Sequence, residues 1–265
     1  HDTIGGPAVF RLDEHIDRLF RTAELLDMEI PIPNEVLHKA VLETVKRNGL
    51  KDGLIKIMGY YPQISAGIIP PQKRLDMTIF ALDPKEDMGG MDFPFAEGTT
   101  VCVSKLRKLD PQTVPVEAKA AANYLNGMMA RGEAAKRGYQ DAVMLDTQGF
   151  IAEGGTESVF LVKDGTLMTP SPGTVLRSIT RKSVLEVAWE MGIETFEGRL
   201  RPESLFEATE VFLSGTPMKV LPVRQVEDRT LADTPGPMTR QLFACFEDIV
   251  AGGNERFRDW LFLVN

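Results

Sequence analysis

The chain has 265 residues, 43% of them hydrophobic and 26% charged, with a formal net charge of −8 and a pI near 5.1. That apolar share suits a globular protein of one large or two modest domains, and the acidic balance argues against the basic stripe that nucleic-acid binding needs. The two cysteines, Cys102 and Cys245, are too few for a disulfide framework, lack metal-ligand spacing and are expected to be reduced and buried. No apolar run reaches the ~18 residues of a bilayer span, no secretory leader is expected, and the acidic surface suits a cytoplasmic protein.

In chain order, Pro7 to Arg11 reads as an extended opening segment. Asp13 to Leu26 has helical spacing, with Ile16, Leu19, Phe20, Ala23 and Leu26 on one side and Asp13 as the expected N-cap. Pro31 to Asn34 breaks the chain, and a second helix carries Val36, Leu37, Ala40, Val41 and Val45 until Asn48-Gly49. Leu54–Met58 and Met77–Leu82 read as strands.

The polar stretch 84–95, with its glycine pair, reads as a linker. It separates a small N-terminal domain, 1–83, from a larger one, 96–265. The larger one opens on a strand, Thr99–Ser104. A long helix is expected after Lys119, with Leu125, Met128, Met129 and Ala135 on its apolar side and Gly138 at its end. Two hairpins follow, Ala142–Leu145 with Phe150–Ala152 and Val159–Val162 with Thr166–Thr169. A helix from about Ile179 to Met191 and a strand from Glu210 to Leu213 complete a mixed α+β or α/β pattern.

Histidine-based catalysis finds little support. His1, His15 and His38 all lie early, and there is no HExxH, GxSxG or GxxxxGK[ST] pattern. Lys119 differs from the other lysines by its small apolar neighbours, Ala118 and Ala120 to Ala122. Desolvation there would favour a neutral, nucleophilic amine, although on these residues alone a solvated surface lysine is the simpler reading. Glu153 ends a hairpin strand before Gly154-Gly155-Thr156. Glycines there would let backbone approach a ligand, and the carboxylate could keep a pyridine nitrogen protonated; a hairpin-end glutamate facing water is equally open. Ser178-Ile179-Thr180 opens a helix, an anion site or an ordinary cap. Ser214-Gly215-Thr216 offers a second hydroxyl turn, and Arg18 a bidentate cation.

Taken in order, these features resemble the class IV aminotransferases, the fold-type IV pyridoxal-phosphate enzymes, and most closely their branched-chain amino-acid subgroup. The carrying motifs are Glu14 to Leu19, Glu117 to Asn126, Ile151 to Phe160, Leu176 to Arg181 and Val211 to Pro217. The resemblance implies a two-domain enzyme, small N-terminal and larger C-terminal α/β domain, working with pyridoxal 5'-phosphate. It implies that Lys119 carries the cofactor as a Schiff base and shuttles the proton, Glu153 pairs with the ring nitrogen, and Tyr124 bonds the ring hydroxyl. Arg18, Ile179, Thr180 and Thr216 hold the phosphate, and Leu176 packs on the ring. An amino donor and a 2-oxo acid such as 2-oxoglutarate are the implied partners, in a homodimer or higher homo-oligomer, with no nucleic acid or membrane.

Three departures concern the substrate. Family members carry further strands before this start, since small domains run to ~100 residues or more. Leu54 and Lys56 stand where branched-chain enzymes have a tyrosine and an arginine. The turn that offers backbone amides to the substrate carboxylate reads Thr216-Pro217, and proline has no N–H. Leu54, Lys56 and Pro217 together point to a substrate other than the usual branched-chain amino acid, or one held differently. A D-amino-acid or (R)-amine transaminase, a lyase resembling aminodeoxychorismate lyase, and a non-catalytic binding protein on the same fold are the competing expectations.

Overall fold

The structure is a computed structural model that describes residues 1–87, 89 and 92–264. The chain divides into two compact units, His1–Asp92 with Glu247–Asn265, and Phe93–Phe246. The expected linker, 84–95, includes Met88, Gly90 and Met91, which lie outside the described residues.

In the first unit, β1 (Asp2–Thr3) and β2 (Gly6–Phe10) form a short antiparallel pair. α1 (Leu12–Leu25) and α2 (Asn34–Asn48) follow, then the antiparallel hairpin of β3 (Leu54–Tyr60) and β4 (Asp76–Leu82). The helices form because their apolar residues recur on one face. Leu12, Ile16, Leu37 and Val41 are buried, and Ile55, Ile57, Met77 and Ile79 of the hairpin pack against them. Asp13 is not the N-cap of α1. Arg11 takes that position at φ 46, in the left-handed region. Its buried guanidinium lies 3.5 Å from the centre of the Trp260 ring and pairs with Glu14, which accounts for an unusual backbone at a residue other than glycine. Asp13 instead sits in the first turn, where its charge meets the positive end of the helix.

The second unit is built on a sheet in the order β10-β9-β8-β11-β12-β5-β6-β7, with β13 added to β12. In chain order these are β5 (Thr99–Arg107), β6 (Asp141–Leu145), β7 (Ile151–Gly154), β8 (Ser158–Lys163), β9 (Thr166–Pro170), β10 (Thr195–Gly198), β11 (Glu210–Gly215), β12 (Lys219–Val226) and β13 (Arg229–Thr230). The sheet is mixed: β5 pairs parallel with both β12 and β6, and β10 pairs parallel with β9. β6, β7 and β11 are buried along their whole length. One side holds a core of Val101, Val143, Val159, Leu161, Leu213 and their neighbours. Phe160 and Phe212, from adjacent strands, stack at 4.8 Å between ring centres.

The helices of this unit are α3 (Leu125–Lys136), α4 (Ile179–Glu190), α5 (Ser204–Glu207) and α6 (Pro237–Val250), the last running into the segment that belongs to the first unit. Two expectations need correction here. The helix after Lys119 begins only at Leu125, preceded by a 3-10 turn over Ala121–Tyr124. Its buried face is Gly127, Ala130 and Ala134, not the face of Leu125, Met128 and Met129, which are exposed. Small residues win because they let α3 lie close against Cys102, Ala142 and Met144 of β5 and β6, where a larger side chain would hold the helix off.

The expected large domain, 96–265, also ends differently. Its last residues form β14 (Leu261–Leu263), which pairs antiparallel with β2 and so belongs with the first unit. Cys102 is buried as expected, but Cys245 is only half-buried.

Candidate active site

Lys119 sits in the loop between β5 and the 3-10 turn, and that loop is held by its own backbone. Ala118 N donates to Pro115 O at 2.9 Å, and the Asn123 amide donates to Pro115 O at 3.2 Å and to Ala118 O at 3.0 Å. Asn126 reaches back to Arg107 O at 2.9 Å, tying the start of α3 to the end of β5. The Lys119 side chain is exposed, and its Nζ donates to the Tyr124 hydroxyl at 2.6 Å. Burial does not set this amine apart in the chain as it stands; a fixed loop and a phenol partner do.

Glu153 is placed by the β6–β7 hairpin and is buried. The Leu176 N–H donates to its Oε2 at 3.3 Å, and the buried Lys108 pairs with its Oε1. Of the two readings of Glu153, the water-facing one is thus excluded. A second tie gathers the loops: Arg177 Nε donates to Glu117 Oε1 at 2.9 Å. The segment around Leu176 is thereby fastened on one side to Glu153 and on the other to the Lys119 loop. The structure brings Lys119, Tyr124, Glu153, Leu176, Ile179 and Thr180 onto segments so linked.

Ser178 caps α4, its Oγ accepting from Arg181 N at 3.3 Å. Helix geometry leaves the N–H groups of Ile179 and Thr180 without an intrahelical acceptor at the positive end of α4, as an anion site requires. Thr216 and Pro217 lie exposed in the turn between β11 and β12, which pair from Gly215 to Lys219. Arg18 stands on α1, its guanidinium 3.3 Å from His15 Nδ1, and Lys56 on β3; both belong to the first unit. Leu54 and Lys56 share the face of β3 opposite Ile55 and Ile57, with Leu82 and Phe80 as their cross-strand partners.

The glycines after Glu153 do something other than expected. A Cβ on Gly154 would lie 2.9 Å from Glu157 Oε2, and one on Gly155 would lie 2.8 Å from Arg131 Nε. A Cβ on Gly127 would overlap the Gly155 carbonyl oxygen. The space is taken by protein, and the turn is gripped from behind. Arg131 bridges Asp141 at 2.9 Å and Glu157, and Glu157 also accepts from Thr156 N at 2.8 Å. Burial, with Asp141 nearby, pushes the Glu157 carboxyl above its ordinary value, against the opposing pull of Arg131. Sequence reasoning missed Lys108 and Arg131, which lie in no pattern that marks chemistry, and Glu157, which sits within the Ile151 to Phe160 motif with no role assigned to it.

The mixed α/β fold is that of the fold-type IV aminotransferases, and the loop lysine with its phenol partner, the buried carboxylate and the open helix N-terminus are its candidate site. The profile of amino-transferase class IV matches residues 4–226, and the chain belongs to that family, whose enzymes use pyridoxal phosphate. The branched-chain-amino-acid aminotransferase of Pseudomonas aeruginosa is 33% identical over 265 residues, 100% of this chain and 86% of that protein. The Escherichia coli (strain K12) enzyme of the same name is 34% identical over 267 residues, with the same coverage of 100% and 86%. Among solved structures, the T.th. branched-chain amino acid aminotransferase superimposes with TM-score 0.93 at 31% identity, covering 100% of this chain and 87% of that one. It has been solved with pyridoxamine 5'-phosphate and with N-(5'-phosphopyridoxyl)-L-glutamate. No described helix is long and apolar enough to cross a membrane.

Proposed function

We propose that the chain is a pyridoxal-phosphate-dependent aminotransferase moving an amino group between a branched-chain-like amino acid and a 2-oxo acid such as 2-oxoglutarate. The observation that carries this is the Lys119 Nζ to Tyr124 hydroxyl bond of 2.6 Å, on a loop fastened to the segment that also holds the buried Glu153. When bound, the cofactor supplies an electron-withdrawing ring that stabilises negative charge at the substrate Cα. Lys119 Nζ is the amine that would attach it and the base that would take up and return the α-proton. The Tyr124 hydroxyl orients that amine and meets the ring oxygen. Glu153 would hold the ring nitrogen, and Leu176 would pack on the ring. The Ile179 and Thr180 amides and the Thr216 hydroxyl hold the phosphate. The resemblance assigns Arg18 to the phosphate; Lys56, Thr216 and Pro217 are the residues read as meeting the substrate, where this chain departs from the family pattern.

Borohydride reduction of the coloured protein followed by peptide mapping is expected to place the cofactor on Lys119. Lys119→Ala should abolish that label and lower kcat/KM by roughly 10³ or more. A label that persists elsewhere overturns the assignment.

Three residues favour a second reading, a donor held differently: Leu54 and Lys56 on one face of β3, and Pro217 without an N–H. Steady-state turnover of L-Leu, L-Ile and L-Val with 2-oxoglutarate separates the two. Efficient use of all three supports the first reading and ends the second. Turnover confined to D-amino acids or primary amines does the reverse. We further infer a homodimer or higher homo-oligomer, on the resemblance, and a cytoplasmic location, on the acidic charge balance; light scattering of the purified protein tests the assembly.

A further inference from the structure

Lys108 takes no part in the roles above, yet it is one of the most enclosed charges in the second unit. It follows the end of β5, and its backbone N–H donates to Leu145 O at 2.8 Å, pinning it to β6. Its side chain is 7% exposed and that of Glu153 10%; the ammonium meets Glu153 Oε1, while the Leu176 N–H donates to Oε2. Two charges withdrawn from water are tolerated when paired, and removing one partner leaves the other uncompensated, which is strongly destabilising. The carboxylate read above as the partner of the ring nitrogen already has a cation on one oxygen.

We propose that Lys108 is a resident counter-cation for Glu153, neutralising the buried carboxylate while the cofactor is away and sharing it with the ring nitrogen once the cofactor is bound. It is a positioning residue that acts through Glu153, and the proposal rests on the reading of Glu153 as the ring-nitrogen partner. Lysine suits the task because its ammonium is a point charge on a flexible stem, able to shift without a fixed bidentate geometry. The consequence is a trade: Lys108 stabilises the empty protein and weakens cofactor affinity. Without it, the ring nitrogen becomes the cation that Glu153 must rely on, and loading stabilises the protein more.

The test compares thermal unfolding of the full chain, stripped and loaded, for wild type, Lys108→Met and Lys108→Arg. Stripped Lys108→Met is expected to melt about 6 °C or more below stripped wild type, with the deficit at least halved after loading. Its cofactor dissociation constant should tighten roughly tenfold, and Lys108→Arg should keep the wild-type stripped melting temperature. A cofactor analogue with CH in place of the ring nitrogen should give Lys108→Met no extra stabilisation. Equal deficits in stripped and loaded forms overturn the proposal, as does extra stabilisation that survives with the analogue. If Lys108→Met does not fold, Lys108→Gln carries the same comparison. Wild type that takes up no cofactor, by colour or by melting, overturns the function reading itself; failure of the Lys108 proposal alone leaves wild type loading normally.

Discussion

The two ends of the candidate site are built on opposite principles. At the Glu153 end the charges are buried, paired between Glu153 of β7 and the residue that follows β5, and backed by the Leu176 amide. At the Lys119 end the amine is exposed, in a loop held by asparagine contacts to backbone carbonyls, with a phenol partner. The difference fits the tasks proposed for them. A carboxylate that must stay charged beside a ring nitrogen benefits from a fixed environment shielded from solvent, where an electrostatic contact is strong. An amine that must leave and return needs room to move.

Substitutions that keep shape and remove function should therefore hurt unequally. Glu153→Gln is expected to lower kcat by roughly 10²–10³, the scale of losing a preorganised electrostatic contact. It should also lower the melting temperature, since Lys108 is left buried without its carboxylate. Tyr124→Phe removes the hydrogen bond between the phenol and Lys119 Nζ at the open end, and about tenfold in kcat with unchanged melting is expected. Steady-state kinetics beside differential scanning calorimetry reads both. Equal kinetic losses, or a melting drop for Tyr124→Phe alone, would break the contrast between the ends.

The same contrast marks what is legible in the sequence. The hairpins β6–β7 and β8–β9 stand out because short apolar runs flank Asp146 to Gly149 and Lys163 to Gly165, and Gly149 and Gly165 take φ of 90 and 78. α3 misleads because Leu125, Met128 and Met129 look like a core stripe, while close packing on β5 and β6 selects the glycine and alanine face instead. α6 is absent from the expected elements although Leu242, Phe246, Ile249 and Val250 recur at helical steps and are buried. That signal is present in the sequence. Lys119 and Glu153 are legible only in the company of the motifs around them. Lys108 is not legible at all, because an isolated lysine after a strand carries no pattern, and its partner is supplied by the sheet.

Behind the buried end, the grip on the turn after Glu153 gives a smaller effect with a defined pH sign. Arg131→Met removes the cation shared by Asp141 and Glu157; Arg131 is 40% exposed, so about 1–2 kcal/mol is expected rather than the full cost of breaking a buried pair. Glu157 has a raised folded pKa, so on descending pH the native chain takes up its proton before the unfolded chain does. Between the ordinary 4.5 and the raised value the native state binds more protons, and this group's contribution to stability falls as pH rises through that window. Glu157→Gln should remove that slope, so the variant improves relative to wild type from acid to neutral pH. Melting temperatures at several pH values check it; a difference independent of pH would mean that Glu157 titrates alike in both states.

The smallest effect sharpens the comparison of enclosed and open positions without touching the site. Cys102 lies in β5 against Ala130 and Ala134, and burial pushes its thiol above the ordinary value, so the reactive thiolate is scarce. Cys245, on α6, is half-buried. A thiol reagent at about pH 8, near the ordinary thiol pKa, is expected to modify Cys245 in the native protein and to reach Cys102 only on unfolding. Activity should change little, because neither sulfur belongs to the proposed site. Mass spectrometry of the native and denatured protein after labelling decides it. Equal labelling of both thiols under native conditions would show that the face between α3 and β5 opens readily, and the tight small-residue packing argued for α3 would then fail.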